Sequence, residues 1–387
     1  MPPQDHDTTS WLITGGCGFI GSALIASILS KDPSSQIRVL DNLSVGSRAD
    51  LGQVCSFEEG RSESSGAQVE LLVGDIRDFE TCLQATQGVD VIVHLAANTG
   101  VGPSVQDPFG DCQANVLGIL NMLEAARQNQ ADRFIFASSS APVGEVEPPI
   151  HEELAPRPVS PYGASKLAGE GYCSAYYRTF GVKSAALRFG NVYGPGSIHK
   201  SSVVAKFIKQ AVNGETCTIY GDGTQTRDFI FIEDLIQAIL KVGLYGANGS
   251  DSASQNSQPK TAQSLSSSNP DDGPLPPASF LHTSPHAPWG EVFQIATNKE
   301  HTVNELAQML ASCLRAYGID MDIAYGQPQP GDVMRNYSDT SKARQRLGWE
   351  CRVDLQQGLE STVEFFVRDQ RSEVRGQEER GEVGSRE

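Results

Sequence analysis

Residues 14–22 read TGGCGFIGS, and Gly15, Gly18 and Gly21 narrow the fold of this chain more than any other stretch. The apolar run WLITGG (11–16) precedes them with the length of a buried strand. FIGSALIASILS follows with the composition of a helix, opened by Phe19 and Ile20. A glycine turn placed between a strand and a helix lets backbone approach a ligand without side chains in the way. It also aims the first amides and the positive dipole end of the helix at an anion. Glycine turns are common in isolation. This context on both sides predicts the pyrophosphate-binding turn of a dinucleotide fold.

The rest of the N-terminal half agrees. Apolar strands are predicted at IRVLDN (37–42), VELLVGD (69–75), VDVIVHLAA (89–97) and RFIFASS (133–139). A helix of period 3.6 lies between the last two, at NVLGILNMLEAARQ (115–128). Strands apolar throughout and alternating with helices imply a parallel sheet covered on both faces. The loop GQVCSFEEGRSESSGAQ after the second strand is long and polar. A further helix (162–181, stopped by Gly181), a sixth strand KSAALRFGNVYG (183–194), a strand EVFQIAT (291–297) and a helix VNELAQMLASCLRAYG (303–318) follow. The reading is α/β: a Rossmann-type doubly wound parallel sheet with a smaller C-terminal substrate lobe. The dinucleotide-binding domain spans 8–190, with returning segments near 227–244 and 290–298. The substrate lobe spans 191–368. It is interrupted by a serine- and proline-rich stretch over 246–288, read as a disordered insertion. The charged tail 369–387 is read as disordered too.

Composition restricts partners. The formal net charge is −17 and the pI about 4.8, which argues against nucleic-acid and anionic-membrane binding. No run of 18 apolar residues occurs, so no membrane span is expected. The eight cysteines form no C-x-x-C pair and no metal spacing with histidine, so no metal site is expected. Scattered thiols and a polar start without a basic n-region predict a cytoplasmic protein.

Asp41 ends the second strand, twenty residues beyond Gly21. A carboxylate there accepts hydrogen bonds from the adenosine ribose hydroxyls and repels a 2′-phosphate. Asn42 beside it carries no positive charge, so NAD is favoured over NADP; the alternative is a plain turn residue opening DNLSVG. Asp75 and Ile76 in GDIRD (74–78) are placed at the adenine. The small Ala96 and Ala97 in HLAAN (94–98) let backbone approach the cofactor.

SPYGASK (160–166) sets Tyr162 and Lys166 four apart, on one face of a helix. A free tyrosine has a pKa of roughly 10 and is a poor base at neutral pH. A nearby ammonium favours the phenolate. Behind the fifth strand of a dinucleotide fold, this pair fits removal of a hydroxyl proton while hydride leaves the same carbon.

With these motifs the chain resembles the extended short-chain dehydrogenase/reductase family, in particular its nucleotide-sugar epimerases and dehydratases. The resemblance rests on TGGCGFIG, DNLSVG, GDIRD, HLAAN, SPYGASK, RFGNVYGPG and GDGTQTRDFIFIEDL. It implies a serine or threonine at the end of the fifth strand, bonded to the reacting substrate hydroxyl. In ASSSAPVGE (137–145) that is Ser139, with Ser140 as the alternative register. Dehydratases of the family carry an acid pair next, where this chain has Ser140 and Ala141. That argues for redox without elimination. The resemblance also implies that Asn191 and Arg227 hold the substrate diphosphate, an arginine fork suiting phosphate oxygens. Asn336 falls where some epimerases carry a bulky gate beside the sugar C2 substituent. Two departures are Pro142-Val143, where Val-Tyr is usual, and Gln329, where an arginine is usual. The implied activity is NAD-dependent 4-epimerisation of a UDP-hexose or UDP-N-acetylhexosamine, in a homodimer formed through the helices carrying 113–127 and 163–178. The alternatives are a 4-ketoreductase or dehydratase, and a catalytically idle NAD-binding sensor or scaffold.

Overall fold

The computed structural model describes residues 8–60, 67–200, 202–246, 287–328 and 333–368. Gln329, the tail and nearly all of the expected insertion lie outside the described residues. The chain opens with β1 (Ser10–Thr14), the glycine turn and α1 (Phe19–Lys31). β2 (Gln36–Asp41), a short α2 (Arg48–Gly52), β3 (Glu58–Glu59), β4 (Val69–Val73) and α3 (Phe79–Ala85) follow. Then come β5 (Val91–His94), α4 (Val101–Gln106), α5 (Pro108–Cys112), α6 (Gly118–Gln128), β6 (Arg133–Ser139), α7 (Pro161–Phe180) and β7 (Lys183–Phe189).

These strands and β12 (below) form one eight-stranded sheet in the order β12-β7-β6-β5-β1-β2-β4-β3, and every neighbouring pair is parallel. The chain runs outward from β1 through β2 to β4, then returns to β5 on the other side of β1. That reversal leaves a crevice beyond the carboxyl ends of β1 and β5, where doubly wound sheets bind ligands. Core side chains lie on both faces. Trp11, Ile13, Val39 and Val93 meet α1 and α9 (below) on one; Leu12, Leu40, Ile92 and Phe134 meet α3 and α6 on the other.

The C-terminal lobe contains β8 (Asn191–Tyr193), α8 (Val203–Val212), β9 (Cys217–Tyr220), β10 (Thr226–Arg227), β11 (Phe229–Phe231) and α9 (Ile232–Gly243). β12 (Val292–Ile295) crosses back to pair with β7. β13 (His301–Thr302), α10 (Val303–Arg315), β14 (Ile323–Gly326), α11 (Ser341–Leu347) and α12 (355–368) complete it.

Two sequence expectations change. The sixth strand is not continuous over 183–194. It breaks at Gly190, where a Cβ would stand 3.1 Å from the Asp228 carbonyl oxygen, and β8 leaves the main sheet to pair with β11. The helix predicted from 115 is reached through α5 and a π-helical turn, Gln113–Leu117. Such wide turns often accompany functional sites. Among the described residues no helix is long and apolar enough to cross a membrane, and no group of metal-ligating side chains occurs.

Candidate active site

The glycine turn is shaped by contacts that exclude side chains. Gly15 has φ +70°, and a Cβ on it would sit 2.9 Å from the Ala96 amide nitrogen. A Cβ on Gly21 would come within 2.4 Å of the Gly15 carbonyl oxygen. Gly18 is the N-cap of α1 and provides no capping side chain, and the first turn of α1 carries no acid. The helix entrance therefore presents backbone amides and a positive end to an anion. This cradle fits the pyrophosphate of a dinucleotide.

Gly46, which the sequence reading passed over, closes the turn from behind. A Cβ there would fall 2.2 Å from the Cys17 carbonyl oxygen. Asp41 at the end of β2 fastens the same place. Its Oδ2 accepts from the Cys17 amide (3.0 Å) and its Oδ1 from the Leu43 amide (2.8 Å). Burial raises the carboxyl pKa and these two bonds oppose the rise. Asn42 donates to Asp75 (3.0 Å), and Asp75 also binds the Arg77 guanidinium at 2.8 Å, which holds its carboxyl well below the usual range. The Ile76 side chain packs inward on Gly118 and is 6% exposed. With the adenosine ribose at Asp41, as expected from the sequence, a 2′-phosphate would meet that carboxylate and an arginine already engaged by Asp75. We expect NAD to bind more tightly than NADP in calorimetry; equal or tighter binding of NADP would reverse this reading of Asp41.

The backbone of Ala96 is held by Thr14, whose hydroxyl accepts from the Ala96 amide (3.1 Å) and pairs with His94 Nδ1 (2.8 Å). His94 lies between β1 and β6, 5.9 Å from the Phe134 ring and 6.1 Å from the Phe136 ring. Burial, and then the Lys166 ammonium, push its imidazole from 6.5 down to about 3. Between those values the unfolded chain binds the proton and the folded chain does not, so stability falls as pH drops through that window. We expect the Tm to fall between pH 7 and pH 5, and His94→Gln to lose part of that dependence. An unchanged pH slope in the variant would assign the effect to other groups.

The three serines at the strand end part company. Along a strand, successive side chains alternate faces. Ser138 is buried and donates to Glu170 (2.6 Å). Ser139 faces the other way. Its hydroxyl lies close enough to the Tyr162 phenol to lower the phenol's pKa, and it accepts from the Ala141 amide (3.1 Å). Ser140 begins the next turn, its carbonyl accepting from the Val143 amide (3.1 Å). Val143 is fully buried, so its departure from the family pattern faces the interior.

α7 begins at Pro161 with Ser160 as its cap, the Ser160 hydroxyl accepting from the Gly163 amide (3.1 Å). This start places Tyr162 against the end of β6. Lys166, one turn later, donates to the Ala137 carbonyl (2.8 Å) and lies 4.9 Å from the Phe136 ring centroid and 5.8 Å from that of Tyr162. Burial pulls the lysine down to about 8, opposed by Asp111 and Glu170. Burial raises the tyrosine, the Ser139 hydroxyl opposes this and Asp111 adds to it. Asn115 joins these parts. It exchanges two hydrogen bonds with the Asn98 backbone (2.8 Å each), donates to Asp111 (2.9 Å) and reaches the Ser165 hydroxyl (3.2 Å). The sequence reading put Asn115 at a helix start and did not use Asp111. Only the π turn, which carries Asn115 back over α7, reveals them.

Of the residues expected on the substrate side, Asn191 and Arg227 share a cavity and Asn336 does not line it. A cavity of about 320 Å³ lies in the C-terminal lobe, lined among others by Asn191, Val192, Lys206, Tyr220 and Arg227. Asn191 Nδ2 approaches the Asp228 carbonyl (3.4 Å), while Arg227 donates to the carbonyls of Thr226 (2.7 Å) and Val333 (2.6 Å). Asn336 sits on a segment beside β10, its amide 3.4 Å from Thr226 Oγ1.

The profile of the NAD dependent epimerase/dehydratase family matches residues 11–252. A protein of Methanocaldococcus jannaschii named a putative UDP-glucose 4-epimerase is 31% identical over 93% of this chain and 99% of its own. A Bos taurus dTDP-D-glucose 4,6-dehydratase is 27% identical over 95% and 91%. The UDP-glucose 4-epimerase of Thermus thermophilus, solved with NAD, superposes with a TM-score of 0.71, at 30% identity over 92% of this chain and 99% of that one. The glycine cradle, the parallel sheet and these likenesses place the chain in the NAD dependent epimerase/dehydratase family of extended short-chain dehydrogenases/reductases, with NAD as its cofactor.

Proposed function

We propose that this protein inverts C4 of a nucleotide-activated sugar, a UDP-hexose or UDP-N-acetylhexosamine, through a 4-keto intermediate. The observation that carries the reading is the meeting of Ser139, Tyr162 and Lys166 at the end of β6, with Ser140 and Ala141 next in the chain instead of an acid pair. Loss of water would need an extra acid and base at the sugar; inversion at one carbon needs one group that takes and returns one proton. Tyr162 takes that proton from the 4-hydroxyl and gives it back. Ser139 holds the same hydroxyl in place. Lys166 sets a positive charge beside the phenol. A bound NAD would supply the acceptor and donor for the C4 hydride, and inversion requires that the 4-keto sugar turn over so that the hydride is redelivered to its other face. Gly15, Gly18 and Gly21 hold the NAD pyrophosphate, Asp41 its adenosine ribose.

Asn191 and Arg227 are the proposed diphosphate contacts, because both face the cavity. Asn336 is proposed as the residue beside the C2 substituent; an asparagine there is small enough to admit an acetamido group. A homodimer is proposed through the helices carrying 113–127 and 163–178, where Leu117 is exposed. The test is incubation of the pure protein with UDP-, GDP-, CDP- and dTDP-sugars and separation of the products. A C4 epimer formed without added reduced cofactor supports the proposal. A requirement for reduced cofactor identifies a ketoreductase, a deoxy-keto product a dehydratase, and no turnover a sensor.

A further inference from the structure

Lys200 lies on the loop that joins β8 to α8, and nothing in the proposed chemistry uses it. Its backbone is fixed at both ends. Its amide donates to the Ser197 carbonyl (2.9 Å), and its carbonyl accepts from Lys209 Nζ (3.2 Å). Ser197 in turn donates to the Gly194 carbonyl (2.7 Å), closing the loop on itself. The side chain reaches across the seam between the two halves of the molecule. Its Nζ stands 5.2 Å from the centroid of Phe19, the first residue of α1 in the dinucleotide turn. On the other side it has a single long contact, 3.5 Å, to the carbonyl of Val192, which lines the cavity of the C-terminal lobe.

Among the described residues no carboxylate pairs with this ammonium, and burial pushes it from 10.5 down to about 8. A partly buried charge with one long carbonyl contact and no carboxylate is a cost to the fold. On one side it borders Phe19 at the entrance of α1, and on the other Val192, which lines the cavity that holds Arg227.

We propose that Lys200 is a diphosphate-binding residue at the seam between the dinucleotide turn and the substrate cavity, and that a nucleotide diphosphate is its missing counter-ion. The diphosphate chemistry is common to NAD and to the substrate proposed above; the substrate arm rests on that proposal, the cofactor arm does not. The long aliphatic stem of lysine crosses the apolar seam over Phe19, and its ammonium arrives as a point charge that suits a phosphate from either side.

The test uses the full chain, as wild type, Lys200→Met and Lys200→Arg, titrated with ADP-ribose, adenosine, UDP and uridine. A charged hydrogen bond lost on methionine substitution weakens ADP-ribose, UDP or both by about 10- to 100-fold. The nucleosides are little affected, and Lys200→Arg keeps most of the affinity. Because the methionine removes an unpaired charge and keeps the stem, the ligand-free variant melts no lower than wild type. A change of less than twofold for both diphosphates overturns the inference. So does equal weakening of nucleosides and diphosphates together with a lowered Tm, which would make Lys200 a structural strut. Wild-type protein that binds ADP-ribose but not UDP refutes the nucleotide-sugar reading, and the ADP-ribose arm then decides Lys200 alone.

Discussion

Tyr162→Phe is expected to lower turnover by roughly 10²- to 10⁴-fold, the range for removing a general acid–base group. The substitution deletes one oxygen and keeps the ring, so the packing of α7 against β6 survives. Burial raises the Tyr162 phenol in the ligand-free protein, the Ser139 hydroxyl opposes this and Asp111 adds to it, with the Lys166 ammonium 5.8 Å from the ring centroid. To take the 4-hydroxyl proton the phenol must first ionise, so the positive charge of Lys166 has to offset its burial before the residue can take and then return that proton. NAD affinity in Tyr162→Phe should stay near wild type, since the glycine turn and Asp41 are untouched. The check is kcat for C4 inversion alongside a calorimetric Kd for NAD. Turnover within a fewfold of wild type would remove Tyr162 from the mechanism. A large loss of NAD affinity with an equal loss of turnover would make the residue part of the cofactor pocket only.

What the sequence revealed and what it hid follow from the range of the interactions. The glycine turn, the strands of the main sheet and α7 are local patterns. Gly181, expected to stop α7, is the left-handed cap of that helix at φ +76°. Tyr162 and Lys166 are legible because a helix repeats every 3.6 residues and brings them together wherever it lies. The Thr302–Glu305 capping box that starts α10 was also written in the sequence, as T-x-x-E before an apolar run, and was overlooked. Other features depend on distant segments. Thr14 and His94 meet only because β1 and β5 are neighbours at the reversal of strand order. Gly190 ends β7 beside the Asp228 carbonyl, far along the chain, and the stretch KSAALRFGNVYG gives no hint of it. Lys200 looks like an ordinary loop lysine until Phe19 is placed over its stem. The serines are intermediate. Strand alternation predicts that Ser138 and Ser139 face opposite ways, but only the position of Glu170 says which of them faces the interior.

Glu170→Ala is expected to destabilise the fold by about 3–5 kcal/mol, the usual cost of removing one partner from a buried ion pair. Glu170 lies one turn beyond Lys166 on α7 and is 5% exposed; Arg188 on β7 is 2% exposed. The pair is bidentate, Nε to Oε1 and Nη2 to Oε2, both at 2.7 Å, and Ser138 adds a third bond to Oε1 at 2.6 Å. This carboxylate therefore ties α7 to the ends of both β6 and β7, the two strands paired at Ser138 and Arg188. Removing it leaves the Arg188 charge in the interior with no anion, and leaves the Ser138 hydroxyl without its acceptor. Pairing an unanswered cation with a loosened helix makes the loss larger than a cavity alone would produce. Denaturant unfolding of Glu170→Ala measures it directly. The double variant Glu170→Ala with Arg188→Met separates the causes. If the stranded charge dominates, the second substitution recovers part of the stability. If it recovers none, the tie between α7 and the strand ends is what mattered. A loss below about 1 kcal/mol, the scale of exposed pairs, would show that the network contributes no more than a surface salt bridge does.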